Sequence, residues 1–301
     1  MIRERTINLA EIKNMDAVAA LDAMDAHVDD WRDATKGKQR GIFSFDDVAA
    51  LKIKNLKKRI YTDIESIPAW KMKECIYKGV DDYEFLYDEW KELNVGDRWG
   101  NNGWSAFFKN SFDMPERFKG KKVTLNVYFG GDSLLTLNGE PYQGLDPFRN
   151  SVLLTDCAEG NEHYDVDIES YYVWHSNEST VKTLSCSFVG VVDPEIEEIY
   201  WDFKAVFNAL FMPVHDTGLQ ELIRASLKEA FTYVNFDLDG EEFKEGLRQA
   251  QKVLKDKVYN NDSYKSEGML ALVGNSHLDI VFMWAYKEYV RKLGRTHATM
   301  L

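Results

Sequence analysis

The sequence predicts an α+β protein of several domains: an antiparallel β-sandwich, then a helical connector, then a single βα unit. Three patterns predict this order. Between residues 97 and 192, short alternating apolar and polar runs are separated by turn residues, as is typical of antiparallel strands. An Asp-Pro pair at 193–194 opens a helical periodicity. Finally, the continuous apolar run MLALV (269–273) precedes another stretch of helical character.

Residues 1–96 are predicted to form a partly helical N-terminal arm. Helical periodicity is present over 16–33 and 44–56, and the connections are rich in charged and aromatic residues without sustained alternation. We therefore place the start of the sandwich at residue 97.

The sandwich, residues 97–192, is predicted from alternation and from one turn. The run KKVTLNVYF places Val123, Leu125, Val127 and Phe129 on one face of a strand. The Asn138-Gly139 pair suits the positive φ angles of a tight hairpin. HYDVDIESYYVW (163–174) and VKTLSCSFVGVV (181–192) supply two further strands.

The helical connector covers residues 193–263. Asp193 is a capping carboxylate and Pro194 suits the first helical position. Three helices follow, joined by short turns. Their inward faces are predicted as Ile196, Tyr200, Phe203, Phe207 and Leu210, then Ile223, Leu227, Ala230 and Val234, then Phe243, Leu247, Ala250, Leu254 and Val258.

The loop NFDLDG (235–240) begins like a calcium-binding EF-hand loop. Its twelfth position, which should supply a bidentate Glu, is Gly246. We therefore predict no calcium site here and interpret Asp239 as a turn or cap residue.

Composition excludes some classes of function. The net charge of −13 comes from 50 acidic and 37 basic residues spread along the chain, which argues against nucleic-acid binding. No apolar run approaches the roughly 18 residues of a membrane span, and the first thirty residues lack the apolar stretch of a signal peptide. We therefore expect a cytoplasmic protein without a membrane partner. Cys75, Cys157 and Cys186 have no CxxC spacing and are predicted to be buried thiols.

Polar residues follow the apolar run 269–273 directly, in the sequence GNSHLD (274–279). The carboxyl ends of parallel strands are where ligands bind in barrels and open α/β sheets. Side chains alternate along a strand, so His277 and Asp279 are expected on the same side, where they are a plausible pair of zinc ligands. A His–Asp hydrogen bond at a strand end, without metal, is the alternative.

The stretch 273–301 as a whole resembles the opening of the catalytic domain of glycoside hydrolase family 38, the α-mannosidases. The positions that match the family pattern are Gly274, His277, Asp279, Trp284, Glu288, Arg291, Lys292, Arg295 and Thr296. In weaker form, the order of arm, sandwich with NGEPYQGLD, VVDPEIEEIYWDF and helical connector is similar to the region that precedes the barrel. The resemblance implies a galactose-binding-like jelly roll and places residues 264–301 at the start of a (β/α) barrel.

By this resemblance, His277 and Asp279 are two ligands of a catalytic divalent metal, usually zinc. The implied reaction is retaining hydrolysis of α-mannoside oligosaccharides through a covalent mannosyl intermediate. The nucleophile and the remaining ligands are expected beyond Leu301, so this N-terminal portion is expected to be inactive alone. Phe282 stands where the family has a Trp lining the sugar site, and we expect it to contact substrate.

After Asp279 the chain is predicted to become helical. Glu288 and Lys292 are spaced for an i,i+4 ion pair, and Arg291 and Arg295 lie one turn apart. The resemblance implies that these charges tie the helix to barrel neighbours, and we do not expect them to be catalytic. The apolar run before the helix is expected to dock on the rest of the chain or to pair with another copy, giving a homo-oligomer.

Two other functions fit the same sequence. A carbohydrate-binding module would stack sugars on aromatic side chains and would bind glycans on an array without metal. Its candidate residues are Trp99, Trp104, Phe107, Phe108 and Trp174, with the loop 129–133. A structural or oligomerisation platform would instead show self-association by light scattering and neither sugar nor zinc binding.

Overall fold

Two sheets packed face to face form the larger of the two units into which the chain divides. The computed structural model describes residues 44–67, 69–171, 181–211, 217–264, 271–274, 276–282 and 284–300. The described residues of the sandwich unit lie within 63–191 and 273–300, and those of a helical unit lie within 44–62 and 192–272. The predicted helix over 16–33 lies outside the described residues.

The sandwich has a four-stranded sheet A, in the order β1-β13-β7-β10, and a seven-stranded sheet B, in the order β3-β2-β6-β11-β8-β9 with β4 also paired to β2. A small pair, β5 with β12, stands apart from these sheets. The strands are β1 (Tyr61–Ser66), β2 (Trp70–Gly79), β3 (Asp82–Phe85), β4 (Lys91–Leu93), β5 (Arg98–Trp99), β6 (Ser105–Asp113), β7 (Val123–Tyr128), β8 (Asp132–Leu137), β9 (Glu140–Leu145), β10 (Ser151–Thr155), β11 (His163–Tyr171), β12 (Lys182–Thr183) and β13 (Cys186–Val192).

Antiparallel pairing and a shared apolar core hold the sandwich together. Strand β11 pairs antiparallel with β6 and β8, and β7 pairs antiparallel with β13 and β10. The inward face of β7 is the predicted one, since Val123, Leu125, Val127 and Phe129 all belong to the core. The indole of Trp70 also reaches across the core, donating to Ser187 Oγ at 2.8 Å.

The predicted hairpin forms at Asn138-Gly139. Both residues have positive φ, at 51° and 87°, and they join β8 to β9 with Leu137 opposite Glu140. Two consecutive positive φ angles match the twist of a two-residue hairpin, which explains the preference for Asn-Gly at this point.

The predicted start of the sandwich at residue 97 is wrong. Strands β1 to β4 lie within residues 61–93, a region assigned from sequence to a partly helical arm. Strand β2 lies inside sheet B and is covered on both faces: Trp70 and Met72 belong to the inter-sheet core, while Cys75 and Tyr77 are buried on the opposite face. A strand buried on both faces loses the apolar-polar alternation by which strands are recognised.

The described residues of the helical unit form four helices. They are α1 (Phe45–Lys58), α2 (Pro194–Ala209), α3 (Thr217–Tyr233) and α4 (Gly240–Leu254), followed by a π-helical turn, Lys255–Tyr259, and a 3-10 turn, Asp262–Tyr264. The predicted inward faces of the last three are buried, apart from the half-buried Val258. Asp239 occupies the cap position before α4, where it pairs with Arg59 at 2.5 Å instead of capping with its side chain.

Helix α2 begins as predicted. The Asp193 carboxylate accepts from the backbone N–H groups of Glu195 and Ile196 at 3.1 and 3.2 Å, and Pro194 occupies the first position. Asp193 also pairs with Lys244 of α4 at 2.5 Å. One side chain thus satisfies the helix start and joins two helices of this unit.

The predicted strand over 269–273 is absent in the described residues 271–273, which are irregular and have Leu272 and Val273 86% and 84% exposed. An isolated extended segment without a neighbouring strand has no partner for its backbone groups, so apolar composition alone does not make a strand. The predicted helix that follows does form, as α5 (Tyr286–Met300).

The cysteines divide into two kinds. Cys75 and Cys186 are fully buried, as predicted, whereas Cys157 is exposed, which corrects the prediction for that residue. Burial raises the pKa of the Cys75 thiol to about 12. Thiolate, the reactive form, is therefore scarce at Cys75 at neutral pH.

Replacing Asp193 with Ala is expected to lower the free energy of unfolding by about 1 kcal/mol, because two N–H groups at the start of α2 lose their acceptor. Urea denaturation followed by far-UV circular dichroism measures this. Asp193→Asn is the matched control, because it keeps the capping oxygen and loses only the ion pair with Lys244. Equal losses in the two variants would contradict the capping role.

In the native chain, only Cys157 is expected to react rapidly with a thiol reagent such as dithionitrobenzoate. The Cys157 thiol is exposed to solvent, while Cys75 and Cys186 are buried and inaccessible to the reagent. Cys157→Ser should remove the rapid phase, and unfolding in guanidinium should reveal the other two thiols. A rapid phase that persists in Cys157→Ser would show that the buried positions open readily.

Candidate functional site

The sequence-predicted ligands lie together on an exposed segment, residues 276–282, that precedes α5. His277 Nε2 is 3.3 Å from Asp279 Oδ1, and the two side chains are 80% and 49% exposed. Spacing of two residues suffices to bring them together although the segment is not a strand. Both donor atoms are therefore accessible from solvent.

The separation of these two atoms fits a shared metal ion. Two ligands about 2.1 Å from a tetrahedral centre are ~3.4 Å apart. The observed 3.3 Å is also compatible with a weak hydrogen bond, the alternative considered from sequence. Among the described residues, no group of three or more His, Cys, Asp or Glu side chains is arranged to hold a metal. The pair can thus supply two ligands of a site, and the described part of the chain does not complete it.

Phe282, the predicted substrate-contacting residue, is 67% exposed. Its ring meets that of Trp284 edge to face, with centroids 5.9 Å apart. Trp284 in turn lies under the Lys292 ammonium, 4.3 Å from its ring centroid. A continuous set of contacts therefore leads from the exposed segment to helix α5.

Helix α5 is held on sheet B by a buried network of charges. Glu288, 1% exposed, accepts from Arg291 Nε and Arg295 Nη2, each at 2.7 Å, and Arg291 Nη2 also donates to it. Arg291 Nη1 reaches the sheet, where it donates to Ser105 Oγ and Glu169 Oε1 at 2.8 Å. Every member of this network has a charged or hydrogen-bonding partner.

The network packs on the outer face of sheet B, which is the face turned away from the core between the two sheets. Cys75, Ser105 and Tyr171 stand opposite one another on β2, β6 and β11, so their side chains share one face. The Arg291 guanidinium lies 3.8 Å from the ring centroid of Tyr77 and 4.7 Å from that of Tyr171. Burial favours a lower pKa for Arg291, but the Glu288 and Glu169 carboxylates raise its pKa above the ordinary value.

Two further contacts fix the ends of the helix. Lys287 Nζ donates to the backbone carbonyl of Tyr77 at 2.6 Å. Near the other end, the Gly144 N–H donates to Thr299 Oγ1 at 3.0 Å. A Cβ at Gly144 would lie 2.7 Å from that oxygen and 2.8 Å from the Arg295 carbonyl, so the helix approaches this closely only over glycine.

The predicted Glu288–Lys292 ion pair does not form. Lys292 Nζ lies 3.6 Å from Asp132 Oδ2, whereas Glu288 forms ion pairs with Arg291 and Arg295. Glu288, Arg291 and Arg295 share the sheet-facing side of α5, whereas Lys292 reaches toward the end of β8. In this structure the charges tie α5 to the sandwich, rather than to the barrel neighbours that the resemblance implied.

Sequence reasoning missed the sheet residues of the network, Ser105, Glu169 and Tyr77. One signal was available: Cys75 and Tyr77 lie on the face of β2 opposite to Trp70 and Met72, so side chains that favour burial occur on both faces of this strand. An outer face of this kind indicates that another element covers it.

The aromatic residues considered for sugar stacking are largely internal. Trp99 and Phe108 are 2% and 0% exposed and belong to the core, and the Trp99 indole donates to the Phe129 carbonyl at 2.7 Å. Trp104 and Phe107 are half-buried, and Trp174 lies outside the described residues. The loop 129–133 is also mostly buried. The described members of this set therefore do not form an open stacking surface.

No helix in the described part of the chain has both the length and the apolar character needed to cross a membrane.

Comparison with known proteins locates a family match in the sandwich. Residues 63–204 match the Ams1-like model described as "Alpha-mannosidase, jelly roll domain". The match begins at residue 63, where the described part of the sandwich unit begins, and so agrees with the corrected boundary.

Curated relatives extend the similarity. Alpha-mannosidase 2C1 of Mus musculus is 24% identical over 219 residues, which are 68% of this chain and 21% of that protein. The Homo sapiens protein of the same name is 22% identical over 232 residues, 72% of this chain and 22% of its own length. Alpha-mannosidase G of Dictyostelium discoideum is 19% identical over 247 residues, which are 74% of this chain and 22% of that protein.

The chain thus spans about a fifth of the length of the curated relatives it matches. Among solved structures, a glycosyl hydrolase family 2 member from Bacteroides cellulosilyticus aligns with 44% of this chain and 21% of its own at 12% identity and a TM-score of 0.30, which supports no conclusion about function. The agreement of family model and relatives confirms the resemblance to α-mannosidases. Residues 63–204 therefore match the jelly-roll domain of α-mannosidases, and the chain is similar to α-mannosidases over 68–74% of its length.

Proposed function

We propose that this chain belongs to a metal-dependent α-mannosidase of glycoside hydrolase family 38, to which it contributes the jelly-roll domain and two metal ligands, His277 and Asp279. The proposed reaction is the retaining hydrolysis of α-mannoside oligosaccharides, with zinc as the metal. The chain spans about a fifth of the length of its relatives, so the reaction is assigned to a protein of their length. The 301-residue chain alone is expected to be inactive.

The observation that carries this proposal is the 3.3 Å separation of His277 Nε2 and Asp279 Oδ1 on an exposed segment of a chain whose sandwich is of the α-mannosidase type. Imidazole nitrogen and carboxylate oxygen are both ordinary zinc ligands. A bound divalent metal would supply Lewis-acid polarisation and would hold sugar hydroxyls.

The side chains of this segment have distinct parts in the proposed site. His277 and Asp279 hold the metal, which requires the imidazole to be neutral and the carboxylate to be ionised. Phe282 offers an exposed aromatic ring that can pack against the apolar face of a sugar. It lacks the indole N–H of a tryptophan and so donates no hydrogen bond.

The first test is α-mannosidase activity on an aryl α-mannoside with added zinc, in a protein with this chain joined to a catalytic segment that brings it to the length of its relatives. His277→Ala is expected to reduce activity by at least about 100-fold. Replacing even a residue that only hydrogen-bonds to a metal ligand lowers metal affinity or activity about 10- to 100-fold. Zinc content measured by atomic absorption should fall in parallel.

His163→Ala is the matched control. His163 is another exposed imidazole paired with carboxylates, at 2.7 Å from Asp113 and 3.3 Å from Asp165, and it lies on the sandwich away from the motif. Activity should be unchanged in this variant. Full activity and zinc content in His277→Ala, or no activity of the long protein on any α-mannoside, would refute the assignment.

A further inference from the structure

We propose that Arg291 is a positioning residue for the metal-ligand pair: by anchoring helix α5 to the outer face of sheet B, it holds the segment that carries His277 and Asp279. This proposal rests on the proposed function, because it assigns a purpose to the anchor only if the pair binds metal. Arg291 touches neither ligand, so its effect is exerted through α5.

The anchor restrains α5 at three places across the sheet. Lys287 contacts β2 through the Tyr77 carbonyl, Arg291 contacts β6 and β11 through Ser105 and Glu169, and Thr299 contacts β9 through Gly144. Contacts to strands across one sheet resist sliding and tilting of the helix. Arg291 is central because it bonds to both the helix and the sheet.

The anchored helix is directly connected to the ligand segment. Residues 280–285 are all that separate Asp279 from the first residue of α5, and the Glu288 N–H donates to the Ala285 carbonyl at 2.9 Å, closing the turn before the helix. Trp284 packs under Lys292 of α5, and Phe282 packs on Trp284. Displacement of α5 would therefore move the segment that carries the ligands.

The chemistry of the anchor requires arginine. One guanidinium donates to Glu288 on the helix and to Ser105 and Glu169 on the sheet, while its Cζ lies over the rings of Tyr77 and Tyr171. A lysine ammonium retains the charge but not the planar fork or the fixed directions of its donors. Arg291→Lys should therefore rescue the anchor only in part.

The test measures the Zn²⁺ affinity of the long protein, in which this chain is joined to a catalytic segment, by competition with a chromophoric chelator, together with amide hydrogen exchange of α5. The contribution of the ligand pair is the part of the affinity lost in His277→Ala. Arg291→Met is expected to weaken this part by about 10-fold, as loss of a supporting partner does at other metal sites, and to speed exchange in α5. Arg291→Lys should lie between Arg291→Met and the unaltered chain.

Arg248→Met is the matched control. Arg248 also forms ion pairs from a helix, with Glu195 and Glu241, but it lies in the helical unit. Its replacement should leave both readouts unchanged. If Arg248→Met loses as much Zn²⁺ affinity as Arg291→Met, the effect is a general destabilisation and the positioning role is wrong.

Gly144→Val tests the same anchor without altering a buried charge, in case Arg291→Met does not fold. The added side chain would collide with Thr299 and the Arg295 carbonyl and displace the end of α5. Weaker His277-dependent Zn²⁺ binding together with faster α5 exchange would again support the proposal.

Two outcomes separate failure of this proposal from failure of the proposed function. If amide exchange in α5 becomes faster in Arg291→Met or Gly144→Val while His277-dependent Zn²⁺ affinity is unchanged, the positioning role is wrong and the metal-site proposal is unaffected. If the long protein without substitutions binds no Zn²⁺ through His277, the metal assignment fails and the positioning role fails with it.

Discussion

The burial of one carboxylate, Glu288, constrains how helix α5 and the sandwich fit together. Glu288 is 1% exposed, and a charge removed from water is tolerated only when partners replace its hydration. Arg291 and Arg295 provide that replacement by donating to Glu288. Two arginines carry one positive charge more than Glu288 neutralises, and Glu169, which accepts from Arg291, neutralises it. Because the partners lie on both the helix and the sheet, the charges are satisfied only when α5 occupies this position. A purely apolar contact would permit small shifts that this network does not.

This constraint bears on what the sandwich contributes to the rest of its unit. The side chains first considered as sugar-stacking residues, Trp99 and Phe108, are used to fill the space between the sheets. The outer face of sheet B is used to hold a helix, through Ser105, Glu169 and Gly144. The sandwich therefore has the features of a rigid support, and the chemistry that we propose resides on the segment that precedes that helix.

Local patterns predicted the parts of the fold that local forces determine. The alternation of Val123, Leu125 and Val127, the Asn138-Gly139 turn and the Asp193 cap all depend on backbone geometry within a few residues, and all are observed. Strand β2 escaped prediction because part of its signal depends on a distant neighbour. For β2, burial of both faces removed the alternation, and the element covering its outer face lies about two hundred residues later, as the 210-residue separation of Tyr77 and Lys287 shows.

The candidate site divides in the same way. The proximity of His277 and Asp279 follows from a spacing of two residues and survives the absence of the predicted strand. The role of Glu288, Arg291 and Arg295 does not follow from spacing alone. Residues i, i+3 and i+7 share one side of a helix, and an apolar set at these positions would be interpreted as its buried face. A charged set is interpreted as facing solvent, although periodicity shows only which residues share a face. Which face is buried depends on whether the opposing surface, here Glu169, Ser105 and the tyrosine rings, can satisfy the charges.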